Sequence, residues 1–432
     1  MILDAYLQDP DTEVLIDDAA LADAMLAVEG ILARVQGSLG IIPKPAADHI
    51  EKIAATMTAD IPGLMEGTIR DGVPIIALLA QLRHAVGPEF GGYVHWGATS
   101  QDIVDTAISL LLQRVRSHFL GRLDSLIDTW MVLAEDHRRT IMAARTRYQQ
   151  AVPTTFGLKV AGWIAPLQRH RQRLLDQPML LQLGGAGGTL SAMGRQELKR
   201  GPEVVAALAI ALNLDAPPMP WHSQRDTIIE FAHCLAMVSG DLGKVAGDIL
   251  MLAQSEFGEV QIAGAGGSSA MPQKANPVRA EAVLALARHN GGLMANMHQT
   301  APHLLERDGV AWNLEWLTLP QMIRATGAGL IHSLHIAENL IVNCDRMMEN
   351  IAASKGMLLA EAAVYALAQH MPKREAQILV KDACRDAIAD GQDLFAVLQQ
   401  RTDAQLDWQA LADPARYLGA SDDFIDAVLK RS

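Results

Sequence analysis

The stretch Ile108-Ser-Leu-Leu-Leu-Gln-Arg-Val-Arg-Ser-His-Phe-Leu-Gly-Arg-Leu-Asp-Ser-Leu-Ile127 decides the fold. Its apolar residues Ile108, Leu111, Leu112, Val115, Phe119, Leu123 and Ile127 recur at spacings of three and four, with Arg114, Arg116 and Asp124 between them. That is the stripe of a long amphipathic helix. Proline, which ends or kinks helices, is missing between Pro88 and Pro153, between Pro220 and Pro272, and between Pro320 and Pro372. Each gap is rich in good helix formers, and the stretches Thr227–Phe257 and Gln321–Val342 repeat the pattern. Alternating β-branched runs bounded by turn dipeptides are nearly absent, so the expected fold is all-α, a bundle of long helices.

Shorter segments flank these rods. Gly40-Ile-Ile-Pro43, Ile61-Pro-Gly63 and Gly87-Pro88 break up the first part, and Met371-Pro372, Asp390-Gly391 and Asp413-Pro414 the last. Three domains are expected: 1–104, 105–355 and 356–432. Apolar residues on several faces, as in Ile249-Leu-Met-Leu252, suggest a homo-oligomer. A net charge of −13 disfavours nucleic acid and anionic membrane surfaces. The scattered Cys234, Cys344 and Cys384 suit a reducing cytoplasm, and the acidic start resembles no secretion signal.

Three segments carry chemistry. Gly264-Ala-Gly-Gly-Ser268-Ser269-Ala-Met-Pro-Gln-Lys274-Ala-Asn276-Pro-Val-Arg-Ala-Glu281 combines free backbone, two hydroxyls, a cation and an amide. It lacks the Gly-Lys-Ser/Thr of a P-loop. His95-Trp-Gly-Ala-Thr99-Ser100-Gln101-Asp102 precedes a long helix, where open N–H groups and hydroxyls suit a carboxylate. Arg145-Thr-Arg147-Tyr-Gln-Gln-Ala-Val-Pro-Thr154-Thr155-Phe-Gly157 reads as a turn before another helix and adds two arginines and further hydroxyls. Gly184-Gly-Ala-Gly-Gly188 has no strand before it and reads as a close-packed turn rather than a dinucleotide site. No metal is expected, because His95, His289, His298 and His303 lack acidic or cysteine partners at ligand spacing, and no cofactor is implied.

Together, in this order, the three segments resemble the signature regions of the fumarase/aspartase superfamily, across essentially the whole chain. The resemblance implies a homotetramer around a twenty-helix bundle, each active site assembled from three subunits, and a small polycarboxylate substrate. Within the superfamily the chain is most similar to the bacterial 3-carboxy-cis,cis-muconate cycloisomerases of protocatechuate breakdown. Lyases of the superfamily carry a histidine after the threonine of the second segment, where this chain has Arg147. Adenylosuccinate lyases end a phosphate-binding stretch in arginine where Trp316 stands here, and an indole offers a single N–H. The alternatives are a C–N lyase of the adenylosuccinate lyase type, releasing fumarate from a succinyl adduct, and a non-catalytic helical oligomer. By resemblance Ser268 is the acid/base, assisted by Lys274; His95, Arg147 and Glu281 complete the catalytic set. Thr99, Ser100, Gln101, Thr154, Ser269 and Asn276 are the implied substrate-binding residues.

Overall fold

The structure is a computed structural model and describes residues 2–193, 200–264, 266–267, 271 and 274–430. Counting helices of six residues or more, the chain runs through α1 (Asp18–Ser38), α2 (Lys44–Ala54), α3 (Ile61–Asp71), α4 (Ile75–Val86) and α5 (Ser100–Asp136). Two strands follow, β1 (Ile141–Thr146) and β2 (Gln149–Thr155), then α6 (Phe156–Asp176), α7 (Gly201–Leu212) and α8 (Asp226–Leu252). After β3 (Val260–Ile262) come α9 (Val278–Gln299), α10 (Gly309–Asn339), β4 (Leu340–Val342) and α11 (Cys344–Ala352). The chain closes with α12 (Ala360–Leu367), α13 (Lys373–Asp390), α14 (Leu394–Gln399) and α15 (Ser421–Leu429). At 1.5 Å per residue, the 37 residues of α5 span roughly 55 Å.

The residues form two compact units. The first comprises 1–122, 171–240 and 286–329, the second 123–170, 241–285 and 330–432. In the first unit α1 and α2 pack tightly because glycines face alanines: a Cβ on Gly37 would lie 2.3 Å from Ala47 Cβ. The second unit holds an aromatic cluster, with Trp163 edge-on to both Trp130 and Phe156. Its last helices close a smaller aliphatic core of Leu359, Leu367, Val380, Leu394 and Leu398.

The chain is mostly helical, as the periodicity predicts, and two expectations need correction. The 145–157 segment is a β-hairpin rather than a turn: β1 and β2 pair antiparallel, Ile141 opposite Thr155 and Thr146 opposite Gln149, with a bulge between Ala143 and Arg145. β3 and β4 form a second antiparallel pair. Proline also fails to mark helix ends at Pro166 and Pro320, which lie inside α6 and α10. An interior proline costs about 3 kcal/mol, and a helix of 21 or 31 residues with buried side chains on both sides of it offsets that.

Candidate active site

In the first unit the site is built around the start of α5. Thr99 is the N-cap, and its N–H donates to Asp102 Oδ2 at 2.9 Å, the reciprocal arm of a capping box. Asp102 is fully buried and does more than cap. Oδ1 accepts from Gly184 N–H and His222 Nε2, both at 2.8 Å, and Oδ2 also accepts from Gly185 N–H at 2.9 Å. The glycine turn is thereby held against the helix start. Contact is close: a Cβ on Gly184 would sit 2.7 Å from His222 Cε1, and one on Gly185, whose φ is +68°, 3.0 Å from Gly97 O.

One turn further on, Asp105 accepts from Arg225 Nη1 at 2.7 Å, Gln101 Nε2 at 3.0 Å and Trp312 Nε1 at 2.9 Å. Arg225 continues to Glu315 at 2.6 and 2.8 Å. Burial alone would push the Glu315 carboxyl up, but the Arg225 hydrogen bonds hold it below the usual glutamate range. His303 Nε2 lies 3.8 Å from Glu315 Oε1, beyond hydrogen-bond reach. Thr106 Oγ1 donates to Gln182 O at 2.8 Å. Gln101, Asp102, Asp105 and Thr106, in the first two turns of α5, are therefore committed to holding three distant segments, 182–185, 222–225 and 312–315, to the helix start.

What remains accessible is the rim. Thr99 Oγ1 accepts from Arg307 Nη1 at 2.8 Å, which leaves its hydroxyl proton to donate, and Arg307 Nη2 also donates to Gly185 O and Ala186 O. Ser100 is half-buried at the first helical position, where its N–H lacks an intrahelical acceptor. His95 has a backbone φ of 64° and places Nδ1 2.6 Å from Glu29 Oε1. Gln101 is 1% exposed, and besides Asp105 its Nε2 meets His222 O at 3.0 Å, so it sits beneath the rim rather than on it. The Trp316 ring lies 4.5 Å from that of Trp312, tilted by 56°, and lines an apolar cavity of about 520 Å³ with Ile108, Leu111, Leu319 and Ile323.

The second unit carries the other two segments. Arg145 donates through both Nη atoms to Glu259 at 2.8 and 2.6 Å and lies over the Phe257 ring at 4.8 Å; Asn350 adds a third bond to the same carboxylate. Arg145 thus anchors the hairpin. Arg147 and Tyr148, at its tip, both have positive φ, 51° and 66°, and are exposed. Non-glycine residues reach this region only at a cost of about 1–2 kcal/mol each. Thr154 pairs with Met142 in the strands and is half-buried.

Ser268 and Ser269 lie outside the described residues. The ends of their loop are zipped together: Gly266 N–H donates to Asn276 O at 3.1 Å, and Asn276 N–H returns to Gly266 O at 2.8 Å. Lys274 is exposed, Asn276 half-buried, and Glu281 exposed in the first turn of α9. Spacing alone points to neither Glu29, Asp102 as a hub, His222 nor Arg307. Glu29 and Gln36 leave one trace in the sequence, polar side chains seven residues apart within a helix whose other inward residues are apolar.

Residues 11–290 match the family model described as Lyase, and residues 356–428 match the one described as Adenylosuccinate lyase C-terminus. This chain belongs to the fumarase/aspartase superfamily of lyases. It is 37% identical to the 3-carboxy-cis,cis-muconate cycloisomerase of Pseudomonas aeruginosa, covering 99% of this chain and 95% of that protein. It is 38% identical to the one of Bradyrhizobium diazoefficiens, covering 96% and 94%. The crystal structure of the 3-carboxy-cis,cis-muconate lactonizing enzyme from Pseudomonas putida superposes with a TM-score of 0.93 at 35% identity, covering 100% of this chain and 98% of that one.

Proposed function

We propose that this protein is a cycloisomerase that closes 3-carboxy-cis,cis-muconate to 4-carboxymuconolactone, within protocatechuate breakdown. The observation that carries the reading is Arg147 at the exposed hairpin tip, where a superfamily lyase keeps a histidine to serve a leaving group. In lactonisation nothing leaves: an ionised substrate carboxylate attacks the conjugated double bond, and the electrons collect as an aci-carboxylate dianion. A guanidinium suits that task, because it clamps a carboxylate in a planar fork and stays charged. The cycloisomerase relatives, similar over nearly their whole length, support the same choice.

In this reading Ser268 gives its proton to the alpha carbon of the dianion and is reprotonated from solvent. A serine hydroxyl is too weak an acid to leave its oxygen charged unaided, so Lys274 and loop N–H groups stabilise the oxyanion. Arg147 clamps one carboxylate, with Glu281 orienting the guanidinium. Thr99, Ser100, Thr154, Ser269 and Asn276 hold the others, and His95 hydrogen-bonds substrate. Gln101 supports this set from below. The assembly is a cytoplasmic homotetramer of three-domain chains, divided at 104/105 and 355/356, each site drawing its segments from three subunits. Supporting this, Val132 and Leu317 on the long helices are 63% and 66% exposed in the single chain.

The test mixes purified protein with 3-carboxy-cis,cis-muconate and follows diene absorbance and product mass. Bleaching with unchanged mass is expected, and Ser268→Ala loses it while keeping the oligomer. No bleaching, together with fumarate released from a succinyl adduct, replaces the cycloisomerase by a lyase. A Ser268→Ala variant with near-normal rate removes the acid/base assignment.

A further inference from the structure

The first rim histidine is held by a carboxylate no motif marks. Glu29 sits in mid-α1, 1% exposed, with Oε1 2.6 Å from His95 Nδ1. Seven residues on, two helical turns along the same face, Gln36 is equally buried and donates from Nε2 to Trp96 O at 2.7 Å. Thus α1 grips two successive residues of the His95 loop. The grip holds His95 in a sparsely populated conformation, since its φ of 64° is in the left-handed region. Glu29 Oε2 is buried with no hydrogen-bond partner among the described residues. A carboxylate kept in such a place is poorly explained by stability, because an apolar residue of similar volume packs there at lower cost.

We propose that Glu29 is a positioning residue for His95. With Glu29 Oε1 as the acceptor, Nδ1 carries a hydrogen and Nε2 becomes the ring atom offered to substrate. In the neutral ring Nε2 is then an acceptor, and in the charged ring a donor. The atom and its direction stay the same. Without Glu29 the ring is free to place its hydrogen on Nε2 and to rotate. This inference rests on the reading that His95 contacts substrate.

The test begins without substrate. Nitrogen-15 NMR of histidine-labelled protein, with His95 assigned by its loss in His95→Asn, is expected to show Nδ1 protonated and Nε2 unprotonated in the neutral ring. Glu29→Gln, whose amide oxygen still accepts, keeps that tautomer, and Glu29→Leu loses it. With 3-carboxy-cis,cis-muconate, Glu29→Leu raises KM by about 10- to 100-fold, the range of a hydrogen bond to a charged group, and leaves kcat within about threefold, whereas Glu29→Gln stays near wild type. In a His95→Asn background, Glu29→Leu costs nothing more. A wild-type ring with its hydrogen on Nε2 overturns the proposal, as does a folded Glu29→Leu with unchanged KM or equal losses in both backgrounds. If the leucine variant does not fold, the wild-type and glutamine tautomers still decide. A wild type that fails to turn over the muconate overturns the function reading alone, because the tautomer is measured on unliganded protein.

Discussion

Replacing Asp102 by asparagine changes one atom and removes a charge from the hub of the first unit. The carboxylate accepts four hydrogen bonds of 2.8 to 2.9 Å: two from Gly184 N–H and His222 at Oδ1, two from Thr99 N–H and Gly185 N–H at Oδ2. An asparagine does best with its oxygen at the Oδ2 position, keeping Thr99 and Gly185. Its amide nitrogen then faces His222, which can switch tautomer and accept, and Gly184 N–H, which cannot. One charge-assisted bond of about 1.5–3 kcal/mol is lost and a buried donor is orphaned. The surviving bonds weaken without the charge, so the local cost is about 3 kcal/mol. At 1.4 kcal/mol per tenfold, local opening becomes roughly 100-fold more frequent. Amide hydrogen exchange of peptides covering Thr99 and Gly184–Gly185 reads that change directly. Exchange in both peptides within threefold of wild type would refute the argument that Asp102 holds the glycine turn to α5.

Two further perturbations bear on the buried ion pairs. Glu259→Gln leaves Arg145 buried beside an uncharged amide and should cost about 3–5 kcal/mol, read as faster proteolytic cleavage at the exposed 146–150 tip with exchange at Gly184–Gly185 unchanged. Glu315 governs acid behaviour: its folded carboxyl lies below the ordinary glutamate range despite burial, because Arg225 hydrogen-bonds it. Its contribution is complete above the titration of an unfolded glutamate and disappears as pH falls through the folded value. Urea midpoints followed by tryptophan fluorescence should therefore drop on acidification more steeply in wild type than in Glu315→Gln, and the variant should already be weaker at neutral pH; equal slopes count against the pairing.

Much of the fold was legible because α5 writes its stripe in apolar residues at spacings of three and four. The β1–β2 hairpin was hidden because its tip is Arg147-Tyr148, with neither the asparagine nor the glycine that usually occupies two left-handed positions. Pro320 misled in the same way: a local rule about helix ends yields to the burial of α10 around it. At the site, Thr99 and Ser100 were readable because capping is local in sequence. Glu29 lies 66 residues before His95 and Arg307 lies 208 after Thr99, so both pairings depend on tertiary packing that spacing does not encode. His95 was set aside as a metal ligand for want of an acid at ligand spacing, and the acid beside it, Glu29, comes from α1, far off in sequence.

The density of obligations at the start of α5 bears on how such a protein can diverge. Gln101, Asp102, Asp105 and Thr106 are all buried and each is tied to a remote segment, so a substitution made there to suit a new substrate also loosens the scaffold. Arg147, Tyr148 and Trp96 have exposed side chains, and the remote tie given above for Trp96, from Gln36 Nε2, is made to its backbone oxygen, which a substitution keeps. Selection for a different acid as substrate can explore those three positions with little loss of folding, while the helix start stays as it is. Laboratory libraries aimed at new specificity are best confined to the same three positions.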